Sequence, residues 1–253
     1  MNSRTLKMNI ARALCAPSIG RLIGRIFADR LPFHGAVIDT GFHFVSPITK
    51  AQIFWKFYES GEIRFLHRYL RRDLDVVELG SSIGVMASQI LRLQNPQRRL
   101  VCVEANATLI EALARNTAAA SPGRVKIVSS AISYPEKEGA REHFAIGGST
   151  IEGHVTDHKT EQSIEVQTTS LSRILHDADI EDYALISDIE GAEAGILEHD
   201  SPALDRCRQI LIELHPTIVA GRAVSIDDLI GILVNRRHFR LLDRHGPVCA
   251  FER

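Results

Sequence analysis

Five short apolar runs, separated by helical segments, constrain the fold of this chain more than any other sequence feature. In chain order the runs are DVVELG, RLVCVE, VKIVSSA, YALISD and QILIEL. Repeated strand–helix units of this kind form a mostly parallel sheet with helices on both faces. After them, FRLLD and PVCAF flank Arg244, His245 and Gly246, which predicts a C-terminal antiparallel hairpin. We therefore predict an α/β fold of the Rossmann-like type.

A glycine-rich turn lies between the first run and its helix. In VVELGSSIGVMA, Gly80 and Gly84 enclose Ser81 and Ser82, and Glu78 lies two residues before the first glycine. Glycine permits a tight turn and lets a ligand approach backbone N–H groups, while a helix N-terminus adds a positive dipole end. The motif predicts a ligand-binding turn, and a strand–helix turn without a ligand is the alternative.

Glu104 ends the second run, 20 residues after Gly84. In doubly wound folds an acid at this position accepts hydrogen bonds from the ribose hydroxyls of an adenosine cofactor. The dinucleotide fingerprint G-x-G-x-x-G lacks its middle glycine here, because residues 80–84 read GSSIG. That glycine lets a pyrophosphate approach the backbone. The turn therefore favours S-adenosylmethionine, which has no pyrophosphate and whose cationic sulfonium suits an acidic pocket. An NAD-dependent oxidoreductase is the less favoured alternative.

Six sequence pieces carry a family resemblance. They are FYESGE (57–62), VVELGSSIG (76–84), VEAN (103–106), SSAIS (129–133), SDIEGAE (187–193) and IELH (212–215). In this order they resemble the FkbM family of S-adenosylmethionine-dependent methyltransferases. The resemblance implies a class I methyltransferase sheet. It also implies O-methyl transfer to a hydroxyl of a sugar, glycan, glycoconjugate or secondary metabolite.

The same resemblance implies a set of cofactor-binding residues. They are Glu78, Gly80, Ser81, Ser82, Gly84, Glu104, Asn106, Ser130, Ala131 and Asp188. The turn residues would shape the loop under the methionine part. Glu104 would hold the ribose with Asn106 beside it, and Ser130 with Ala131 would flank the adenine. Asp188 would face the methionine amino group or the sulfonium.

Two residues near the fourth and fifth strand ends are candidates for catalysis. A sugar hydroxyl is a weak acid, so transfer to it needs a base or a metal. His215 has a suitable unperturbed pKa near 6.5 and is our first candidate for the base, with Glu190 second. A helix predicted to begin at Glu190 would place it on one face with Glu193. Each candidate also has a purely structural alternative. His215 would then be a hydrogen-bonded histidine at a strand end, and Glu190 an acid in the first turn of a helix that complements the helix dipole.

A divalent metal is an alternative to the base. Asp188, Glu190, Glu213 and His215 lie near adjacent strand ends, and oxygen ligands with one imidazole suit Mg²⁺ or Mn²⁺. Their spacing matches no recognised closed site, so the prediction is no metal.

The N-terminal part differs from the rest of the chain. We predict that residues 1–64 form a helical and β-rich extension that covers the substrate cleft, and that residues 65–253 form the cofactor-binding domain. Residues 1–30 carry six basic side chains against one acid, with apolar residues interleaved and Pro17 as a break. Such a segment either contacts an anionic membrane surface or packs on the domain with a solvated basic face.

The overall charge bears on partners and location. The net charge of −1 disfavours binding of nucleic acid through the overall charge of the protein. The expected partner is therefore a small-molecule or glycan acceptor. No stretch reaches the roughly 18 apolar residues of a transmembrane helix, and no secretory signal is recognisable. We expect a cytoplasmic protein, with the inner membrane surface as an alternative place. A non-catalytic cofactor-binding scaffold is the alternative function.

Overall fold

The N-terminal part of the chain is formed by helices and one β-hairpin. The computed structural model describes residues 10–121, 123–134, 141–146, 153–156, 163–219 and 221–253. Its first elements are α1 (Pro17–Ile26), β1 (Arg30–Phe33), β2 (Ala36–Asp39), α2 (Pro47–Phe54) and α3 (Ser60–Tyr69). Residues 10–14 are also helical, so Pro17 separates two helical pieces as predicted. The basic residues Arg4 and Lys7 lie outside the described residues.

The following elements alternate between strand and helix as the sequence pattern predicts, except for a succession of strands over residues 125–169. They are β3 (Asp75–Leu79), α4 (Val85–Leu93), β4 (Leu100–Glu104), α5 (Ile110–Ala120), β5 (Val125–Ser129), β6 (Ala131–Ile132), β7 (Arg141–Ile146), β8 (Gly153–Thr156) and β9 (Ser163–Thr169). After these come α6 (Leu171–Asp177), β10 (Tyr183–Ser187), α7 (Glu193–His199), α8 (Ser201–Arg206), β11 (Cys207–Glu213), β12 (Thr217–Val219) and β13 (Arg222–Val224). The last elements are α9 (Ile226–Gly231), β14 (Arg240–His245) and β15 (Val248–Glu252).

One seven-stranded sheet organises these elements, in the order β14-β15-β11-β10-β3-β4-β5. Strands β3, β4, β5, β10 and β11 are parallel, and β15 runs antiparallel to both of its neighbours. Strand β15 of the C-terminal hairpin therefore lies inside the sheet, and β14, the other strand of the hairpin, forms its edge. This is a class I, Rossmann-like methyltransferase sheet, as the sequence predicts.

Alternating strand residues fill two hydrophobic cores, one on each face of the sheet. Val76 packs with α3, α4 and α5, whereas its neighbour Val77 packs with α6, α7, α8 and α9. Successive side chains of a strand point to opposite faces, so a continuous apolar run implies burial on both sides. Ile23 of α1 and Leu31 of β1 join the first core, so the N-terminal part packs against the same layer.

Two predicted helices differ in the structure. The helix expected to begin at Glu190 begins at Glu193, because Glu190 adopts a left-handed backbone with φ 53°. The helix predicted after Ser225 begins as α9 with a capping box, then widens into a π-helical turn at Ile232–Arg236. Within the described residues, no helix is both long and apolar enough to cross a membrane.

Candidate active site

A cleft of about 290 Å³ opens at the carboxyl ends of β3, β4 and β10. Of the residues that the sequence predicts for the site, Gly80, Ser82, Glu104, Asn106, Ser130, Ala131, Asp188 and Glu190 line it. Ligand clefts in open α/β sheets lie at this edge, where neighbouring connections leave toward opposite faces. The structure thus brings most of the predicted set to one cavity.

The turn after β3 has an unusual backbone that its residues explain. Gly80 and Gly84 have φ values of 81° and 84°, and Ser82 between them has φ 47°. A Cβ atom on Gly80 would lie 2.0 Å from the carbonyl oxygen of Asp188, closer than any real contact. Position 80 therefore needs glycine for its backbone angle and for the close approach of β10.

Glu104 holds this turn from the neighbouring strand. Its Oε2 atom accepts a hydrogen bond from the Ser82 backbone N–H at 2.7 Å, and its Oε1 accepts one from Asn106 at 2.7 Å. The Ser130 N–H donates to the Glu104 carbonyl oxygen at 3.1 Å. Burial raises the pKa of Glu104 although these backbone donors oppose the shift. The Glu104 carboxylate thus connects the turn with the segment after β4, and the Glu104 carbonyl oxygen binds the segment after β5.

The other three predicted turn residues lie behind the cleft wall. Ser81 is buried and donates its hydroxyl to Glu78 Oε2 at 2.7 Å, while Glu78 Oε1 has no hydrogen-bond partner among the described residues. Burial raises the pKa of Glu78 to about 7. Gly84 caps α4 and faces Leu113. Glu78 also lines a second cavity of about 30 Å³, which lies behind Gly80.

Carboxyl groups crowd around this second cavity. Glu59, Glu62, Asp188 and Glu213 line it together with Glu78. Burial raises the pKa of Asp188 to about 7 and that of Glu213 to about 8, and neighbouring carboxyls act in the same direction. The pKa of Glu59 is also raised by burial and by Asp188. Because like charges at close range disfavour ionisation, the cleft suits a cationic ligand.

His215 lies beside the cleft, beyond Asp188 and Glu190. Its Nδ1 atom is 3.1 Å from Oε1 of Glu193, a side chain with no exposed surface. Its Nε2 atom is 3.5 Å from Glu190 Oε2 and 3.9 Å from oxygens of both Asp188 and Glu213. The hydrogen bond to Glu193 raises the pKa of His215 to about 9, and the surrounding carboxylates act in the same direction.

Of the four residues considered as metal ligands, the structure brings three close together. Asp188, Glu190 and His215 offer ligand atoms that all lie within 4.8 Å of one another. Glu213 contributes no atom to this group, although it lies 3.9 Å from His215 Nε2. Exposed acidic groups often approach each other in this way without a metal, so the geometry alone does not support one.

A comparison with protein-family profiles identifies the family of this chain. Residues 78–241, well over half of the chain, match the family described as the methyltransferase FkbM domain. The chain belongs to the FkbM methyltransferase family. Such an enzyme is an S-adenosylmethionine-dependent methyltransferase, so the nicotinamide alternative is excluded. No curated protein sequence matches the chain.

Solved structures similar to this FkbM methyltransferase are distant. A precorrin-6y C5,15-methyltransferase from Geobacter metallireducens GS-15 is 13% identical, with 76% of this chain and 85% of that chain covered and a TM-score of 0.40. An rRNA methylase from Streptococcus thermophilus is 11% identical, with coverages of 76% and 94% and a TM-score of 0.43. A ribosomal protein L11 methylase from Lactobacillus delbrueckii subsp. bulgaricus is 12% identical, with coverages of 75% and 74% and a TM-score of 0.45. These named activities differ, so the comparison leaves the acceptor open and lends no support to the expectation that nucleic acid is not a partner.

The residues of this FkbM methyltransferase fit S-adenosylmethionine. Gly80 gives the close backbone approach, and Glu104 is the strand-end acid. The ammonium and sulfonium of this cofactor carry positive charge, which would favour the ionised form of the cleft carboxyl of Asp188, whose pKa burial raises to about 7.

Sequence reasoning missed several residues of the site. Gln52, Phe57, Tyr58, Glu59 and Phe144 also line the cleft. Glu59 belongs to the piece FYESGE that carries the family resemblance, so that motif was a usable signal. Glu193 and His215 also end two of these pieces, SDIEGAE and IELH, but their contact could not be predicted, because it joins the start of α7 to the residues after β11.

Proposed function

We propose that this chain is an O-methyltransferase whose acceptor is a hydroxyl of a sugar, glycan, glycoconjugate or secondary metabolite. Methyl transfer from S-adenosylmethionine follows from the family. The observation that supports a hydroxyl acceptor is His215, held by the buried Glu193 with Nε2 facing the carboxyls beside the cleft. A hydroxyl needs a base to become a nucleophile, and this imidazole is positioned to be one.

The proposed reaction is a displacement at carbon. S-adenosylmethionine, when bound, would supply an electrophilic methyl group to the acceptor oxygen and would leave as S-adenosylhomocysteine. His215 Nε2 takes the hydroxyl proton as the oxygen–carbon bond forms, and Glu193 orients the ring through Nδ1. Glu190, 3.5 Å from Nε2, is the second candidate base. A cationic ligand beside Asp188 and Glu190 would offset the carboxylates that help to raise the pKa of His215 to about 9, and would so favour a neutral ring whose Nε2 can accept a proton.

The cofactor would lie across the cleft from β5 to β10. We assign the ribose to Glu104, with Asn106 beside it, and the adenine to Ser130 and Ala131. Gly80, Ser81, Ser82 and Gly84 would shape the turn under the methionine part. Asp188 and the buried Glu78 would provide negative charge for the cationic groups.

We also propose that residues 1–64 cover part of the substrate cleft and that residues 65–253 are the methyltransferase domain. Gln52, Phe57, Tyr58 and Glu59 support the first part, because they line the cleft opposite the strand ends. The boundary falls inside α3, which packs on the first core.

The acceptor is proposed to be a small molecule or glycan rather than nucleic acid. The carboxyls of Glu59, Asp188 and Glu190 line the cleft, and they would repel a phosphate backbone. We propose a cytoplasmic location, which the four free cysteines support because disulfides are rare there.

Cofactor binding is tested by titrating S-adenosylhomocysteine into the protein. We expect Glu104→Gln to weaken binding by about 10- to 100-fold, since ribose hydrogen bonds to a charged acceptor contribute about 1.5–3 kcal/mol. Glu111→Gln on the exposed side of α5 is the matched control and should bind like the wild type. Equal binding by both variants would remove Glu104 from the ribose site.

Catalysis is tested with radiolabelled methyl donor and a panel of hydroxyl compounds. We expect His215→Asn to lower kcat by 10²-fold or more while S-adenosylhomocysteine binding is kept, which is the usual contribution of a general base. Unchanged turnover in His215→Asn and Glu190→Gln would refute the proposed mechanism. Loss of activity on treatment with a chelator, restored by Mg²⁺ or Mn²⁺, would favour the metal alternative at Asp188, Glu190 and His215. Cofactor binding without transfer to any acceptor would favour a scaffold.

A further inference from the structure

The outward side of α1 carries two parallel rows of side chains. Arg21 and Arg25 form a cationic row, and Leu22 and Ile26 form an aliphatic row beside it, since residues four apart share a helix face. Leu22 is 54% exposed and Ile26 is 66% exposed, which is unusual for aliphatic side chains of a helix that also has a buried side. Among the described residues, neither arginine forms an ion pair.

The inner side of α1 packs against the protein, and this packing keeps the two rows facing outward. A Cβ atom on Gly20 would lie 1.7 Å from the Pro47 carbonyl oxygen, so α1 and the start of α2 are in close backbone contact. Asp29, just after α1, forms an ion pair of 2.7 Å with Lys50 in α2. Helix α1 is therefore held against the protein, and its two rows stay directed outward.

Aromatic residues continue this surface toward the cleft. The ring of Phe27 lies 5.1 Å from that of Phe54, and Phe54 lies 4.9 Å from Trp55. Phe27 and Trp55 are 37% and 39% exposed. Phe57, two residues after Trp55, is also exposed and lines the cleft.

Positive charge is concentrated in the same part of the chain. Residues 1–57 contain eight Lys and Arg against two acids, Asp29 and Asp39, although the whole chain has a net charge of −1. Asp29 is already paired with Lys50. An anionic surface is therefore the complementary partner for this face.

We propose that this docking face, formed by Arg21, Leu22, Arg25, Ile26, Phe27 and Trp55, binds the surface of an anionic phospholipid bilayer. An interfacial helix inserts an aliphatic row to the depth of the head groups while neighbouring cations contact lipid phosphates. Tryptophan prefers the same boundary, because its ring is apolar and its N–H is polar.

A bilayer fits this face better than a second copy of the chain. A symmetric dimer through α1 would bring the arginine rows of both copies together, whereas an anionic lipid surface compensates them. The proposal concerns the surface and not the acceptor, so it holds for any methyl acceptor that reaches the cleft.

The test is co-sedimentation of the full chain with vesicles of phosphatidylcholine alone or mixed with phosphatidylglycerol. We expect binding to the mixed vesicles that weakens as salt rises. Arg21→Glu with Arg25→Glu should reduce binding by about 30-fold or more, because each lipid-facing cation contributes about a factor of five. Leu22→Ser with Ile26→Ser should reduce it by at least about tenfold.

Two control variants make the same kinds of substitution on surfaces outside the docking face. Arg222→Glu with Arg236→Glu alters the same charge on another surface, and Ile218→Ser removes an aliphatic side chain that is 74% exposed. Both controls should bind vesicles within about twofold of the wild type. S-adenosylhomocysteine titration of every variant reports the cofactor site separately.

Three outcomes would overturn the proposal. The wild type does not sediment with anionic vesicles, or the α1 variants sediment like the controls. Alternatively, ultracentrifugation without lipid finds a dimer that the Leu22→Ser, Ile26→Ser variant abolishes, which would assign the face to a second copy.

Discussion

His215 divides two tasks between its two ring nitrogens. Nδ1 contacts Glu193, a carboxylate with no exposed surface, and Nε2 faces Glu190, Asp188 and Glu213. A histidine oriented through one nitrogen presents the other in a defined position, which is the arrangement of a general base. The surrounding negative charge keeps the ring protonated in the absence of a cation, so the proposed role of His215 as a base depends on what occupies the cleft.

Glu193→Gln is expected to shift the pH dependence of the reaction downward. The Glu193 contact is the largest cause of the raised pKa of His215, about 9, and an amide stabilises the imidazolium less than a carboxylate. The pH at which kcat/KM stops rising should therefore fall by about one unit, equivalent to about 1.4 kcal/mol. The measurement is a pH profile from pH 6 to 9.5.

Glu198→Gln is the control for this profile, since Glu198 lies in the same helix and contacts His199 instead. If kcat/KM of Glu193→Gln stops rising at the same pH as that of the wild type, a group other than His215 determines this pH dependence. A change in kcat without any shift would leave Glu193 a purely structural residue.

At the scale of elements, the turn between β3 and α4 joins three strands. The N–H groups of Gly80 and Ser81 donate to the Val103 carbonyl oxygen, and Asp188 N–H donates to the Leu79 carbonyl oxygen. Glu104 adds its bond to Ser82 from β4. The turn is therefore shaped by β4 and β10 before any ligand binds.

Gly80→Ala should destabilise the protein far more than Gly123→Ala. The two glycines have nearly equal φ values, 81° and 79°, so the backbone penalty of about 1–2 kcal/mol is common to both. At position 80 the new Cβ meets backbone, whereas at position 123 no atom of the described residues, its chain neighbours apart, lies within 4 Å of it. Denaturant unfolding should give an additional loss of roughly 2 kcal/mol or more for Gly80→Ala, as for other overpacked sites. Equal losses of unfolding free energy in the two variants would show that the turn after β3 rearranges to accommodate the new Cβ atom.

The strand ends could be predicted from the sequence, while the contacts between loops could not. Glu104 and Asp188 each follow a continuous apolar run, and parallel strands deliver such residues to one edge. The helix start at Glu190 was predicted wrongly because its left-handed backbone depends on the packing of the following loop. Glu59 and Glu193 reach the site from α3 and α7, and the relative placement of those helices is set by the two cores.

At the scale of the whole molecule, charge is separated between two regions. The N-terminal part is basic, whereas the cleft and the small cavity behind Gly80 are lined by carboxyl groups, several of which have pKa values raised mainly by burial. The first region fits an anionic surface, and the second fits a cationic cofactor. Neither property is visible in the net charge of −1.

The ligand-free protein should lose stability as the pH rises from about 5 to 9. Glu78, with a pKa of about 7, is protonated in the folded state over a range in which the unfolded chain has ionised it. This buried group alone corresponds to about 3 kcal/mol lost between pH 4.5 and 7. The raised pKa of His215 acts in the same direction, because its contribution is complete below pH 6.5 and is lost as the pH rises through about 9.

Thermal unfolding between pH 5 and 8.5 checks this expectation. S-adenosylmethionine should raise the Tm more at pH 8 than at pH 6, because a cation stabilises ionised carboxyls and is disfavoured beside imidazolium. Glu78→Gln should flatten the lower part of the ligand-free curve. A Tm that rises steadily over this range would contradict the assignment of these carboxyls.

The position of Trp55 has a practical consequence. It is the single tryptophan of the chain, and its indole N–H donates to the Leu14 carbonyl oxygen while part of the ring faces solvent. Its fluorescence therefore reports on one small area, next to α1 and two residues from a residue that lines the cleft. A shift of its emission to shorter wavelength would signal entry into an apolar medium, so the protein carries its own optical probe and needs no attached dye.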